Sequence, residues 1–391
     1  MSDMTGQHDS VETSEITPDL KWTSMYAAIA AQGDLLRGFV TSMLEDVRHA
    51  LPAKRPSRIY LVGCGDSYYS GLATKHAIAS WTNAPVEAVE SLEFSRYEIQ
   101  FAPTDALVVA VSNSGEVSRT IECVRYARQK GLTTFGITRQ PESRLAQSCE
   151  SVLTYSFPDF GFAPGTISYT ASTVALLLTG LWISQSTGFI SLDDVARSAA
   201  RIGKLGDVVD ATREACSDIA EATGGNLNDG TGVFFLGGGP NYGTALFSAA
   251  KMIESSLHNA VGQELEEWAH EQYFCTGAQT LTVVLAPPGA AIDRARELLT
   301  AVRDIGGIAA VVCDSDDDVT RSIADITFPV VGQVTELLSP LVYCIASELI
   351  AYQYASSNQK VMFGFDDPVR RVVNHRQIYQ SAIPSSAPSL E

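Results

Sequence analysis

Short apolar runs alternate along the chain with longer segments of helical periodicity. From Trp22 to His49 the apolar positions recur at helical spacing, and Gly33 is expected to divide this segment into two helices. Strands are predicted from Arg58 onward and near 106–111, 133–138 and 152–157. Strand alternating with helix predicts a parallel sheet with helices on both faces, so we expect an α/β protein.

The same pattern starts again after residue 200 at a constant offset of 174. With Gly63 aligned on Gly237, LVGCGDSYY falls on FLGGGPNYG and VAVSNSG falls on VVLAPPG. A constant offset over about fifty residues predicts an internal duplication. The predicted organisation is a disordered leader and helical segment (1–50), a first lobe (51–200), a second lobe (201–360) and a C-terminal tail (361–391). The Ser/Pro-rich end after Gln380 is expected to be loose unless it folds over a site.

Composition narrows the classes of function. The formal net charge is −18, so phosphate backbones would be repelled and we expect no nucleic-acid partner. The seven cysteines are scattered without metal-ligand spacing, which predicts reduced thiols and no metal site. No basic-then-apolar leader is found, and the apolar run Ala171–Ile183 is interpreted as a core helix too short for a bilayer. We expect a cytoplasmic protein with no membrane partner.

Two polar loops of the first lobe carry the candidate ligand-binding residues. They are Gly65, Asp66 and Ser67 in the first loop, and Ser112, Asn113, Ser114 and Ser118 in and after the second. At the carboxyl ends of parallel strands, helix N-termini offer unpaired N–H groups that can hold a phosphate. The alternative is that these serines and glycines only cap helices. The second lobe has APPG in place of SNSG, so ligand chemistry is expected in the first lobe. No nucleotide-binding spacing is present, and no cofactor is expected.

The stretch from Ala249 to Tyr273, a predicted helix–turn–helix, holds the acid–base candidates. Lys251 and Glu254 are three residues apart and share a helix face, and His270 follows sixteen residues after Glu254. A carboxylate, an ammonium and an imidazole at this spacing can transfer protons to and from a small substrate. The alternative is a charged, solvated helix surface.

The GCGDS and SNSGE loops, the duplication and the K-x-x-E helix with its later histidine resemble the sugar isomerase (SIS) domain family. They resemble in particular the tandem-SIS isomerase half of glutamine–fructose-6-phosphate aminotransferase and the related fructosamine-6-phosphate deglycases. The resemblance covers about residues 22–380. It implies two three-layer αβα lobes, each around a five-stranded parallel sheet, and a homodimer. The glutamine-hydrolysing domain has no counterpart here, so we expect no glutaminase activity.

The resemblance also implies roles for individual residues. Ser67 and residues 112–114 would hold the sugar phosphate. Glu254 would move a proton between C1 and C2, and Lys251 matches the lysine three residues before it. His270 would open the sugar ring and enter the site from the partner subunit, which makes the homodimer part of the site.

Three positions depart from the family pattern. Val117 stands where the phosphate loop usually has threonine. Asp66 also replaces a threonine, and its charge would disfavour a phosphate unless the side chain points away or binds hydroxyl groups. Val373 stands where the tail carries a catalytic lysine, which argues against the synthase reaction. The candidates to replace that lysine are Arg370, Arg371 and His375.

The expected function is therefore proton transfer at C1 and C2 of a ring-opened 6-phosphosugar, by an isomerase or a deglycase. The small-molecule partner would be a phosphosugar or a fructosamine phosphate. The alternative is a sugar-phosphate sensor without catalytic activity. The sequence leaves open which sugar or amine is bound and whether a phosphate is required.

Overall fold

Ten strands form two five-stranded parallel sheets in the part of the chain that the computed structural model describes, residues 18–51 and 55–387. The strands are β1 (Ile59–Gly63), β2 (Val86–Glu90), β3 (Leu107–Val111), β4 (Thr133–Thr138), β5 (Ser151–Thr154), β6 (Gly232–Gly237), β7 (Ala260–Glu264), β8 (Thr280–Ala286), β9 (Ile308–Asp314) and β10 (Ile326–Val330). The first sheet has the order β2-β1-β3-β4-β5 and the second β7-β6-β8-β9-β10. The predicted fold class is confirmed.

Fourteen α-helices, some of a single turn, accompany the sheets in these same residues. They are α1 (Pro18–Ala30), α2 (Gln32–Ala50), α3 (Asp66–Thr82), α4 (Ser91–Glu93), α5 (Ser118–Gln129), α6 (Arg144–Ser148), α7 (Ile167–Ser186), α8 (Leu192–Asn226), α9 (Pro240–Ser256), α10 (Leu265–His270), α11 (Ile292–Asp304), α12 (Asp318–Ile323), α13 (Pro340–Ser357) and α14 (Pro368–Tyr379). The break predicted at Gly33 occurs two residues earlier, at Ala31, between α1 and α2.

Alternate residues of the central strands enter different cores. In β1, Leu61 belongs to a large central core that both lobes share, whereas Val62 belongs to an outer core of the first lobe. In the second lobe Phe235 enters the same central core and Leu236 an outer one. Because both faces of each sheet are covered, the central strands are continuous apolar runs, as parallel strands usually are.

Two of the edge strands, β2 and β7, were not predicted. β2 (VEAVE) and β7 (AVGQE) are partly exposed, and their polar residues hide the strand pattern. The prediction of a helix–turn–helix over 249–273 is therefore wrong. That stretch contains the end of α9, the strand β7, which pairs with β6, and the short helix α10.

The offset of 174 residues extends beyond the loops that suggested it. At this offset β2 falls on β7, and α5 falls on α11 to within one residue. The two sheets have the same strand order, which is what a duplication predicts. The duplication itself stays a prediction.

The lobes meet where α3 packs on α9. A Cβ added to Gly243 of α9 would lie 2.5 Å from the carbonyl oxygen of Tyr69 in α3, so the close approach requires glycine. The long helix α8 has 35 residues and begins at a capping box formed by Ser191 and Asp194. The predicted boundary between the lobes, 200/201, falls inside this continuous helix.

Both ends of the described chain contact the lobes. The predicted frayed leader, residues 1–20, lies outside the described residues except for the first turn of α1, which begins at Pro18. Near the other end, the backbone carbonyls of Ala382 and Pro384 accept hydrogen bonds from Arg119 (2.5 Å) and the Tyr126 hydroxyl (3.1 Å) of α5. The expectation of a loose tail is therefore wrong for this segment.

In the described part of the chain, one helix is long and apolar enough to cross a membrane by length and composition. This helix is α7, with 20 residues, and 94% of its most apolar window is buried within the fold. The prediction that the run is too short is corrected, whereas the interpretation as a core helix is confirmed. Localisation stays a prediction. All seven cysteines are free, five of them buried, as expected for reduced thiols.

Candidate active site

The two polar loops of the first lobe lie side by side. β1 and β3 are neighbours in the sheet, with Ile59 paired to Leu107, so their carboxyl ends meet at one edge. Gly65 has φ +54°, and α3 begins directly after it at Asp66. A Cβ on Gly63 would lie 2.7 Å from the Cβ of Ser67, so the first loop turns tightly enough to require glycine.

The serines of the second loop hydrogen-bond within their own loop. The Ser112 hydroxyl oxygen accepts the N–H of Gly115 at 3.1 Å, and the Ser114 hydroxyl oxygen accepts the N–H of Glu116 at 3.2 Å. The Asn113 side-chain oxygen accepts from the Tyr155 hydroxyl at 3.3 Å. Each serine hydroxyl keeps its hydrogen for another acceptor. These bonds close turns within the loop and do not cap α5, whose N-cap residue is Val117. They leave the serine hydroxyl groups able to donate to a ligand.

The end of this loop departs from a simple phosphate site. Val117 precedes α5 and provides no side-chain cap, and Ser118 is fully buried at the start of that helix. The role of Ser118 in binding phosphate therefore stays a prediction. Glu116 is bound by Arg144, with 2.6 Å between Nε and Oε2. Although partial burial opposes it, the hydrogen bonds from Arg144 hold the pKa of Glu116 below its usual range, so the nearby charge is neutralised.

Lys251 joins the first loop to α9. Its Nζ lies 2.8 Å from Oδ2 of Asp66 and 2.5 Å from Oε2 of Glu254, and its side chain is completely buried. It also donates to the carbonyl of Gly165 at 3.4 Å, and it lies 4.9 Å from the centre of the Phe247 ring. A buried lysine with two carboxylates satisfies the rule that buried charges are paired.

The charges of this cluster are coupled. Burial opposes the charge of Lys251, but Asp66 and Glu254 outweigh it and raise the pKa of that lysine above its usual value, so Lys251 stays protonated. Burial raises the pKa of Glu254 to about 7; Lys251 opposes this rise, and the nearby Asp66 charge adds to it. The Glu254 side chain keeps 30% of its surface exposed. It is therefore an accessible carboxylate that can gain or lose a proton near neutral pH.

Asp66 points towards Lys251. Its negative charge is paired, which removes the main objection to an anionic ligand near this loop. The side chain is 24% exposed, and a Cβ on Gly165 would lie 2.7 Å from its Oδ2. Burial, with smaller contributions from Asp66 and Glu254, raises the pKa of the neighbouring Tyr69 to about 12, so this tyrosine stays neutral.

A further carboxyl group lies behind this cluster and was missed in the sequence analysis. Glu348 of α13 is fully buried and accepts a 2.5 Å hydrogen bond from Gln32 of α2, which in turn accepts from Thr170 of α7. Burial raises the pKa of Glu348 to about 8, while Gln32 and Lys251 oppose this. The available signal was a lone glutamate inside the apolar run LVYCIASELIAY.

His270 lies apart from Glu254 within this chain. It ends α10, its side chain is 68% exposed, and its Nε2 is 3.4 Å from Oε1 of Glu266. In the described part of the chain it has no contact with Lys251, Glu254 or Asp66. Its contribution across a dimer interface stays a prediction.

The C-terminal segment approaches the site through aromatic rings. Phe162, which precedes Gly165, lies 5.2 Å from Phe363 and 5.7 Å from Phe365 between ring centres. Beyond these rings, α14 carries the four tail residues considered above. Val373 is 39% exposed, Arg371 donates to the carbonyl of Phe365 at 2.8 Å, His375 lies against Tyr379, and Arg370 lies beside Gly364. Within the described residues none of these four contacts the Lys251 cluster.

Side chains that could together hold a metal are not found in the described part of the chain. No group of three or more His, Cys, Asp or Glu residues there has suitable geometry. The acid–base groups around Lys251 are thus carboxylates and an ammonium, which can transfer protons between a substrate and the protein.

A family model for the SIS domain matches residues 53–181, which include both polar loops and the first sheet. The chain contains a SIS domain. The predicted resemblance is confirmed by this match and by homology to the isomerase domain of glutamine–fructose-6-phosphate aminotransferase.

The relatives extend the match beyond the first lobe. Glutamine–fructose-6-phosphate aminotransferase (isomerizing) of Mycobacterium tuberculosis is 32% identical over 304 residues, which are 76% of this chain and 48% of the relative. The chain therefore spans about half the length of the curated relatives it matches. The C-terminal domain of the Francisella tularensis glucosamine-fructose-6-phosphate aminotransferase has a TM-score of 0.76 at 19% identity, covering 89% of this chain and 99% of that domain.

The fold is shared with phosphosugar isomerases. The tagatose-6-phosphate ketose/aldose isomerase of Escherichia coli has a TM-score of 0.70 at 16% identity, covering 87% of this chain and 96% of the isomerase. At such identities the likeness shows the fold alone. Together with the SIS domain it identifies a fold of the phosphosugar-isomerase type.

Proposed function

We propose that this protein is a sugar-phosphate isomerase or deglycase that transfers a proton at C1 and C2 of a ring-opened 6-phosphosugar. The observation that carries the proposal is the carboxylate of Glu254, held 2.5 Å from Lys251 beside the first polar loop, with its pKa raised by burial to about 7. A base whose pKa lies near neutral pH is largely available and still accepts a proton well. The homology to isomerizing aminotransferases supports the same reaction class.

In the proposed mechanism the substrate phosphate binds to the adjacent loops. Ser67 and the hydroxyl groups of Ser112 and Ser114 donate to its oxygens, and the first turns of α3 and α5 add their N–H dipoles. Glu254 removes the C1 proton, which produces an enediol from a ketose or an enaminol from a ketosamine. The proton returns at C2. Lys251 stays protonated and holds Glu254 in place through the step.

His270 completes the site from a partner subunit in this proposal. Its high exposure and its distance from the Lys251 cluster within the chain support a role outside the protomer. The imidazole would open the sugar ring or protonate the leaving position. The proposed assembly is therefore a homodimer, and its small-molecule partner is a phosphosugar or a fructosamine phosphate.

The choice between isomerase and deglycase depends on the substrate. Val373 in place of a lysine weighs against ammonia transfer and leaves both reactions possible, because each begins with a base and an acid at C1 and C2. In the deglycase reaction the proton transfer gives an imine at C1, and water adds to C1 and displaces the amine. The experiment is incubation in D₂O with fructose 6-phosphate or with a fructosamine 6-phosphate, followed by NMR. We expect deuterium at C1 or C2 of one of them, or release of the amine.

Glu254→Gln should abolish this exchange and leave sugar binding, measured by thermal shift, in place. Glu267→Gln, an exposed carboxylate of α10, is the matched control and should exchange normally. A Glu254→Gln protein that still turns over at the wild-type rate would refute the assignment. Binding without exchange in the wild-type protein would favour the alternative, a sugar-phosphate sensor.

A further inference from the structure

A cavity lies in the second lobe, on elements that take no part in the Lys251 cluster. It has a volume of about 510 Å³ and opens at the carboxyl ends of β9 and β10, beside α8. In open parallel sheets this is the edge at which ligands bind. The volume is in the range of small-molecule sites.

One face of α8 forms a wall of this cavity. Arg201, Lys204, Leu205 and Val208 line it, and their spacing of three, four and seven residues places them on the same side of a helix. Leu205 is buried, whereas Arg201 and Lys204 are exposed. The wall therefore has an apolar base and a positively charged rim.

The two cations of the rim have no partner. Neither Arg201 nor Lys204 has a hydrogen bond or an ion pair with any residue that the structure describes. The nearest acidic residues along α8, Asp207 and Asp210, bind Arg37 instead, at 3.0 and 2.7 Å. In a chain with a formal net charge of −18, two unneutralised cations at one cavity mark a place where an anion is attracted.

The opposite side of the cavity offers polar groups for hydroxyls. Gln333 and Thr335, in the loop after β10, line it with exposed side chains. Asp314, at the end of β9, accepts a 3.0 Å hydrogen bond from the Tyr343 hydroxyl through Oδ1. Burial raises the pKa of Asp314, and the hydrogen bond from Tyr343 opposes this rise.

We propose that this cavity binds a small phosphomonoester, with Arg201 and Lys204 on the phosphate. Gln333, Thr335 and Asp314 contact the hydroxyl groups of its organic part. The site is separate from Glu254 and does not depend on the proposed reaction. It gives the second lobe a ligand of its own.

The test is calorimetric titration with inorganic phosphate and with glucose 6-phosphate, carried out in a Ser114→Ala background that weakens the loop site of the first lobe. Arg201→Gln and Lys204→Gln should each weaken binding of both probes by about tenfold, since each removes a charge-assisted hydrogen bond. Glucose 6-phosphate should bind more tightly than phosphate.

Arg125→Gln is the matched control, because Arg125 is an exposed arginine of α5 that lies outside this cavity. It should leave both affinities unchanged. The proposal is overturned if the Arg201→Gln/Lys204→Gln protein binds the probes as the wild type does. It is also overturned if Arg125→Gln weakens binding equally, because the effect would then be one of net charge. A crystal grown with phosphate should show the anion between Arg201 and Lys204.

Discussion

The two lobes have the same sheet order but fill their equivalent loops differently. In the first lobe the N–H of Glu116 is accepted by the Ser114 hydroxyl, whose hydrogen remains free for a ligand. In the second lobe the N–H of Ala290, at the offset of 174, is accepted by both carboxylate oxygens of Glu336, at 3.2 and 3.1 Å. A Cβ on Gly289 would lie 2.2 Å from the carboxyl carbon of Glu336. The second lobe thus places its own carboxylate where the first is open to an anion.

The two lobes also differ in their acid–base residues at equivalent positions. Lys251 and Glu254 of α9 fall on Ala77 and Ser80 of α3, which have no comparable acid–base chemistry. The first lobe therefore offers the ligand loops, and the second offers the proton-transfer groups. In the proposed function, two lobes with the same strand order therefore contribute to a single catalytic site.

Removal of Lys251 should have the largest effect, because this residue of the second lobe forms an ion pair with Asp66 of the first. Lys251→Met leaves Asp66 and Glu254 without a counter-charge, and we expect a loss of about 3–5 kcal/mol in the free energy of unfolding. Urea denaturation measures it. Lys75→Met, on α3 and without an ion pair among the described residues, should cost less than about 1 kcal/mol. Equal losses would mean that Lys251 does not bind the lobes together.

Glu348 distinguishes the two equivalent core helices, since its counterpart in α7 is Val174. Its folded pKa, about 8, lies above the ordinary value of 4.5, so its contribution to stability is complete below about pH 4.5 and is lost as the pH rises through 8. Relative to Glu348→Gln, the wild type should lose roughly 3 kcal/mol between pH 5 and pH 8. Denaturation curves at both pH values test this. Glu150→Gln, at an exposed carboxylate, should show no such dependence, and a wild type that gained stability instead would contradict the prediction.

The loop at residues 112–115 of the first lobe and its counterpart at 286–289 of the second should respond differently to substitution. Ser114→Ala removes a hydroxyl donor and should raise KM for the phosphosugar about tenfold, which corresponds to roughly 1.4 kcal/mol. Glu336→Gln, in the second lobe, should leave KM within about twofold. Steady-state kinetics compare the two. A similar rise in both proteins would show that the lobes share ligand binding.

The smallest expected effect is a shift in the pH at which kcat/KM rises. Because Glu254 must be deprotonated to act as a base, kcat/KM should rise as the pH increases through about 7. Asp66→Asn removes a negative charge that raises the pKa of Glu254, so the inflection should move to lower pH. Glu267→Gln should not move it. An upward shift in Asp66→Asn would contradict the proposed coupling between the lobes.

The central strands could be predicted because burial on both sides made them apolar runs. β3 (LVVAV) is an example, with all five residues buried. The edge strands β2 and β7 were not predicted because they are partly exposed, and glutamate, glutamine or glycine residues interrupt their apolar runs. As a result, the stretch between Glu254 and His270 was predicted as the turn of a helix–turn–helix, whereas the structure has the strand β7 there.

The site was predictable where it depends on local spacing. Lys251 and Glu254 are three residues apart on one helix and form the expected contact. The pairing of Lys251 with Asp66 was not predictable, because those residues are 185 positions apart and only the packing of α3 on α9 brings them together. The contribution of His270 from a partner subunit stays a prediction, because no pattern within one sequence specifies a contact between two chains.

A segment near each end of the described chain packs on the lobe that is more distant in sequence. Near the N-terminus, Trp22 donates to the carbonyl of Lys360 at 3.1 Å, on the second lobe, whereas Ala382 and Pro384 are bound by α5 of the first. A segment from each half of the sequence therefore packs on the lobe that the other half forms. Fragments made by cutting the chain between the lobes would each lack a segment that packs on them, so we expect the two lobes to fold together.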